Sequence, residues 1–203
     1  MPLETGLKRG RPQAGSVHLC IDMQNLFGPQ SPWHVPWVEA ILPRIINICA
    51  AHSRDTIFTR FIPPERPEDA RGNWVGYYRK WEAITRARID PSLIELIAPL
   101  RSFSPPAAVL DKTVYSPWTE GFLQRYLVDK RIHTLIISGA ETDLCVLATL
   151  LGAVDYGYRV IVVHDAVCSV SDQTHDAIIT LCHQRFSEQL ELVCTDELLD
   201  AWR

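Results

Sequence analysis

Thr134-Leu-Ile-Ile-Ser138 and Val160-Ile-Val-Val163 are short, β-branched and almost continuously apolar. A strand with one wet face would alternate polar and apolar residues; runs like these fit strands buried on both faces of a parallel sheet. Candidate strands of the same kind lie at 17–22, 56–59 and 107–110 before them and at 190–194 after them, and the second run extends back to Arg159. Between the strands the period changes to that of a helix. Residues 35–53 place Val38, Ile41, Leu42, Ile45, Ile46 and Cys49 on one stripe. Asp90-Pro91 reads as a cap and first turn opening a helix through Leu100. Further helices are expected at 119–128, at 142–156 up to Gly157, at 172–186 and at 196–202. Strand–helix alternation implies right-handed crossovers and a three-layer α/β/α sandwich. Sites in such folds lie at the carboxyl ends of the strands.

The 203 residues suit a single domain, expected over 16–203, with residues 1–15 a polar, Gly- and Pro-containing flexible arm. A composition of 47% hydrophobic and 22% charged residues is that of a globular chain and not of a disordered one. No apolar run approaches the ~20 residues of a membrane-spanning helix. The basic residues near the start are followed by no apolar stretch, so no secretory signal is read there. A net charge of −4 argues against nucleic acid or an anionic membrane as the main partner. The six cysteines show no CxxC or metal-finger spacing, which points to free thiols in a reducing cytoplasm.

Three strand ends carry reactive groups. The first ends in Cys20-Ile-Asp22; the third in Val109-Leu-Asp-Lys112; the fourth runs through Gly139 into Ala140-Glu-Thr-Asp-Leu-Cys145. Each has a plain structural explanation taken singly: a turn-forming aspartate, a solvated lysine, a core cysteine. Together they place a nucleophile, a proton acceptor and an ammonium at one edge of the sheet, which is what cysteine nucleophilic catalysis requires. The expected position of Cys145 in the first turn of a helix favours its thiolate, and the free N–H groups there suit an oxyanion.

These segments resemble the isochorismatase-like cysteine hydrolases, which include nicotinamidases, N-carbamoylsarcosine amidohydrolases and biuret hydrolases. Asp22-Met-Gln-Asn-Leu-Phe27 is similar to the family's opening motif, Lys112-Thr-Val-Tyr-Ser-Pro-Trp118 to its lysine motif, and Gly139-Ala-Glu-Thr-Asp-Leu-Cys-Val146 to its nucleophile motif. The resemblance implies a six-stranded parallel sheet in the order 3-2-1-4-5-6. It also implies a catalytic triad of Asp22, Lys112 and Cys145, with Phe27 flanking the substrate. A cis peptide between Ala140 and Glu141 and an oxyanion hole from the N–H groups of Glu141 and Cys145 are implied as well. Its reaction would be cleavage of a C–N bond in a small amide, ureido or carbamoyl compound through a thioester, with no cofactor and no metal. Dimers or tetramers are common among such relatives. An ether-cleaving hydrolase and a non-catalytic protein keeping the fold are the alternatives.

The chain departs from the nicotinamidase pattern after the second strand. There an Asp-x-His metal cluster is replaced by Phe61-Ile-Pro63, whose side chains cannot ligate a metal. Residues 66–88 hold Trp74, Tyr77, Tyr78 and Trp81 at helical spacing, which reads as a packing face, in the core or between subunits. Equivalent stretches in relatives contribute to the pocket wall. Trp81, Tyr115 and above all Trp118 are the expected pocket residues beside Phe27. Arg60, Arg71 and Arg79 could grip a substrate carboxylate, but in a chain with sixteen arginines none of them is singled out.

Overall fold

The computed structural model describes residues 5–203. Six strands form one parallel sheet: β1 (Ser16–Ile21), β2 (Thr56–Phe61), β3 (Ala108–Lys112), β4 (Thr134–Ala140), β5 (Arg159–Cys168) and β6 (Leu190–Val193), in the order β3-β2-β1-β4-β5-β6. Every residue of β1 and β4 is buried, as apolar runs covered on both faces should be.

Helix α1 (Val38–His52) joins β1 to β2, and α2 (Trp74–Lys80) and the short α3 (Ala98–Arg101) lie between β2 and β3. Helix α4 (Phe122–Asp129) precedes β4; α5 (Leu147–Asp155), α6 (Asp172–Arg185) and α7 (Thr195–Ala201) complete the chain. The chain winds outward from β1 in one direction and from β4 in the other. Right-handed crossovers therefore put α1 and α5 on opposite faces, and α7 returns to pack on α1. None of the helices is long and apolar enough to cross a membrane among the described residues.

Four expectations change. The helix foreseen over 90–100 is a single tight turn, Pro91–Ile94, started by the Asp90 side chain accepting the N–H of Ser92 at 2.8 Å. Beyond it the chain stays extended, because Met23–Asn25 offers it partners: Asn25 N–H donates to Glu95 O at 2.9 Å and Ile97 N–H to Met23 O at 3.0 Å. Helix α4 starts only after Gly121, whose φ of 72° is left-handed. β5 runs on past His164-Asp165 to Cys168, since the end of β4 is still there to pair with: Gly139 stands against Val167 and Ala140 against Cys168.

The arm is the fourth case. Residues 1–4 lie outside the described residues; the rest of the arm is tied down along β6. Gly6 N–H donates to Leu192 O at 2.7 Å, Arg9 N–H to Glu191 at 3.2 Å, and Arg159 holds Gly10 O at 2.6 Å. Arg159 and Glu191 form an ion pair at 2.6 Å beneath it.

Candidate active site

The sheet delivers three side chains to one point. β1 ends at Ile21, and Asp22 turns away in the left-handed region (φ 49°), which aspartate tolerates better than most residues. Thr59 of β2 holds it there by both ends: the Thr59 hydroxyl donates to Asp22 Oδ1 at 2.6 Å and accepts the Asp22 N–H at 3.1 Å. Gln24 clasps the end of β2 like a short strand, accepting the Phe61 N–H at 2.6 Å and donating to Phe61 O at 3.1 Å.

β4 ends at Ala140; the Ala140–Glu141 peptide is cis, and Thr142–Val146 form a π turn leading into α5. Cys145 sits in that turn. The approach of β4 to β1 depends on Gly139 (φ 110°), where a Cβ atom would collide with the Ile21 carbonyl. Glycine therefore brings the two loops together.

Lys112 arrives from further off. β2 separates β3 from β1, so at ~4.8 Å per strand the side chain must span ~10 Å. Its stem crosses the end of β2, with Nζ 4.9 Å from the centre of the Phe61 ring. The ammonium reaches Asp22 Oδ2 at 2.7 Å, Cys145 Sγ at 3.4 Å and the Val114 carbonyl at 3.2 Å. All three residues are buried.

Burial sets the electrostatics. It would lower the Lys112 pKa, but the charges of Asp22 and Cys145 outweigh it and hold the amine above its ordinary value. Burial pushes the Cys145 thiol well up; Lys112 opposes this and Asp22 adds to it. Desolvation thus opposes the helix-terminus effect expected from sequence. Glu141, half-buried, is also raised, first by burial and then by Asp143, against the N–H of Val170, which it accepts at 3.2 Å. Burial also raises the Cys20 thiol well above its ordinary value, those of Cys49 and Cys168 to about 12 and that of Cys182 to about 11.

Cys145 opens onto a cavity of about 260 Å³ walled by Phe27, Trp33, Phe61, Tyr77, Trp81 and Tyr115, with Glu141 and Val170 at its side. Phe27, Tyr115 and Trp81, three of the expected pocket residues, are on this wall. Trp118 is not. Its ring is buried against Gly152 of α5, where any larger residue would strike the indole, and its N–H donates to the Thr149 carbonyl at 3.0 Å. An indole N–H needs a partner when buried, and α5 supplies one; the cavity would not. The aromatic stretch 66–88 serves two purposes: Tyr78 is core, whereas Tyr77 and Trp81 face the cavity. Trp33 was not foreseen, although it is the hub of the wall, with Phe27, Phe61, Tyr77 and Trp81 all within 6.4 Å of it, ring centre to ring centre. Pro32 and Pro36 around it were the available signal of a fixed loop. Of the three arginines, Arg60 is consumed by Asp111 and Glu95 at 2.8–3.0 Å, Arg79 faces Glu68 at 3.8 Å, and Arg71 lines a different cavity.

The position after β2 does not fit a metal centre. Phe61 packs beneath the Lys112 ammonium there and stacks near Tyr115. Among the described residues no group of three or more His, Cys, Asp or Glu could hold a metal ion.

An all-parallel 3-2-1-4-5-6 sheet with an acid, a lysine and a cysteine gathered at its carboxyl edge is the architecture of a small α/β hydrolase. The family described as Isochorismatase domain matches residues 16–192, and the chain belongs to it. Nicotinamidase 3 of Arabidopsis thaliana is 27% identical over 161 residues, covering 79% of this chain and 77% of its own. Among solved structures, a cysteine hydrolase from Pseudomonas syringae pv. phaseolicola superposes with a TM-score of 0.80 at 22% identity, covering 98% of this chain and 100% of that one. N-carbamoylsarcosine amidase from Thermoplasma acidophilum gives 0.69 at 21% identity, over 89% and 96%. At such identities the structural matches speak for the fold alone.

Proposed function

We propose that the protein hydrolyses a non-peptide C–N bond of a small amide, ureido or carbamoyl compound, with Cys145 as nucleophile. The observation that carries this is the position of Lys112 Nζ, 2.7 Å from Asp22 and 3.4 Å from Cys145, at the end of a cavity that can hold a small molecule. Family membership and a relative named as a nicotinamidase support it.

In this reading Asp22 takes the thiol proton as the sulfur attacks the carbonyl carbon, and Lys112 stabilises the charges on both. The N–H groups of Glu141 and Cys145 receive the oxyanion. Collapse of the tetrahedral intermediate breaks the C–N bond, and protonated Asp22 gives its proton to the leaving nitrogen. Water, deprotonated by Asp22, then cleaves the thioester and frees the thiol and the acid. A raised thiol pKa suits this scheme, because the thiolate then forms only as bond formation begins and not in the empty site. A single domain over 16–203, a homo-oligomeric state and a cytoplasmic setting for the free thiols complete the proposal.

Ammonia release from a panel of small amides, ureides and carbamoyl compounds tests it, with Cys145→Ala and Asp22→Asn as controls. Both variants should lose several orders of magnitude in turnover, and mass spectrometry of the quenched parent should show an acyl adduct on Cys145. Near-parental rates in Cys145→Ala would sink the covalent scheme.

A further inference from the structure

A second cavity, of about 420 Å³ against the 260 Å³ at Cys145, backs onto the catalytic one. Three pairs of consecutive residues divide them. Phe61, Tyr77 and Tyr115 line the catalytic cavity; Ile62, Tyr78 and Val114 line the second. Pro63, Pro64 and Trp74 add apolar surface to it, and its charged residues are Glu65, Asp69, Arg71 and Arg86. Glu65 faces Arg86 at 3.6 Å, and Asp69 accepts the N–H of Arg66 at 3.1 Å. Two groups are left over. The Arg71 guanidinium makes no ion pair or hydrogen bond among the described residues. The Tyr78 hydroxyl is buried without a hydrogen-bond partner, in a residue only 1% exposed. Burial, and then Tyr115 and Cys145, hold its pKa above the ordinary value, so the phenol keeps its proton and is a donor. A buried hydroxyl left without a partner costs stability, and such groups in native proteins call for an explanation.

We propose that this second cavity is a binding site for a small carboxylate with an apolar body, whose carboxylate oxygens are taken by the Tyr78 hydroxyl and the Arg71 guanidinium. Its volume lies within the ~300–1,000 Å³ of small-molecule sites, which pair apolar walls with a few polar groups in the same way. The planar fork of arginine matches a carboxylate, and the phenol adds one more donor. A cation meets the reverse: two guanidiniums that repel it, and two carboxylates already engaged by Arg86 and by the Arg66 N–H. A neutral apolar molecule would fill the space and leave both donors idle. The apolar body of the ligand would lie against Trp74 and the prolines. The site shares no lining residue with the catalytic cavity and does not depend on the reaction at Cys145. The two nevertheless touch, because Val114 of the second cavity accepts a hydrogen bond from Lys112 at 3.2 Å through its carbonyl.

The test titrates phenylacetate and 2-phenylethanol, which share a ring and differ in the carboxylate, into the full-length protein by calorimetry. Phenylacetate should bind about tenfold more tightly or better, and Tyr78→Phe and Arg71→Gln should each weaken it by about 10- to 100-fold, the worth of one hydrogen bond to a charged group. Both substitutions should move 2-phenylethanol much less. Without ligand, Tyr78→Phe should melt no lower than the parent, because the hydroxyl it removes has no partner there. Phenylacetate that fails to bind, binds no better than the alcohol, or keeps its parental affinity in either variant overturns the site. So does a Tyr78→Phe protein that melts clearly lower, since the hydroxyl would then serve the core. Loss of phenylacetate binding in Trp81→Ala, with Arg71→Gln unmoved, would put the ligand in the catalytic cavity and overturn it as well.

Discussion

Removing one hydroxyl, in Thr59→Val, tests how the candidate base is held. Valine keeps the outline of threonine and replaces Oγ1 by a methyl. In the parent that oxygen donates to Asp22 Oδ1 at 2.6 Å and accepts the Asp22 N–H at 3.1 Å, and both residues are at most 1% exposed. The variant therefore leaves two buried groups without these partners, each at a cost of ~1–3 kcal/mol. A loss of roughly 2–6 kcal/mol lowers the melting temperature of a chain this size by about 4–24 °C. The bond to the carboxylate is charge-assisted, worth ~1.5–3 kcal/mol, and what it fixes is the direction in which Asp22 presents its other oxygen to Lys112. Losing that orientation should reduce kcat/KM by roughly 10- to 100-fold. The measurement is ammonia release on the best substrate of the panel, beside calorimetry, with Thr59→Ser as control because it restores the hydroxyl. Serine should recover most of both losses. A valine variant that melts like the parent and stays within twofold in kcat/KM refutes the whole argument. One that melts early but turns over normally refutes the positioning half of it.

Further outcomes are open to measurement. Burial, with a smaller contribution from His52, holds the His18 pKa at about 3 between Ser138 and Thr56, while the unfolded chain titrates near 6.5. The unfolded state therefore binds this proton first as the pH falls. The stabilisation is full above 6.5 and is lost on the way down to 3, by on the order of 5 kcal/mol. His18→Gln should flatten that part of a stability–pH curve, and an unchanged slope in the variant would count against it. The raised Cys145 pKa means that labelling of the free enzyme by iodoacetamide should keep climbing above pH 9; a plateau by pH 7 would contradict burial as the dominant influence. Trp118→Phe gives up the bond to Thr149 O and should cost about 1 kcal/mol of stability with kcat/KM unchanged. A shift in substrate preference would return Trp118 to the cavity.

How far the sequence could be read depended on whether a residue's partners were near it in the chain. β4 and β5 were legible because strands covered on both faces spell out their burial in consecutive residues, and the ends of β1 and β4 because reactive groups there have only one crevice to share. Lys112 was legible as an ammonium at a strand's carboxyl end, but that it must stretch across β2 over Phe61 needs the strand order. Wherever a distant segment supplied the partner, local pattern misled. Residues 90–100 carry a good helix start, yet the helix does not go on past Ile94 because Met23–Asn25 takes the backbone groups of Glu95 and Ile97. The fifth strand read as ending at Val163, although the unfinished end of β4 draws β5 onward. Trp118 follows the lysine motif directly but turns its indole to α5. The wall of the cavity comes from the loop around Trp33 and from α2, which no periodicity relates to each other. Thr59 gave no signal, since its value lies in one hydroxyl facing a neighbouring strand.

The chain from Gly6 to Gly10 bears on how copies of the protein can meet. By lying along β6 it occupies the outer rim of the sheet, where unpaired backbone would otherwise invite a foreign strand. Growth of the sheet from one molecule into the next is closed on that side unless the arm first peels off. Self-association is left with the helix-clad surfaces and the β3 rim, and a variant trimmed before Gly10 would expose a backbone template and be prone to self-templated precipitation.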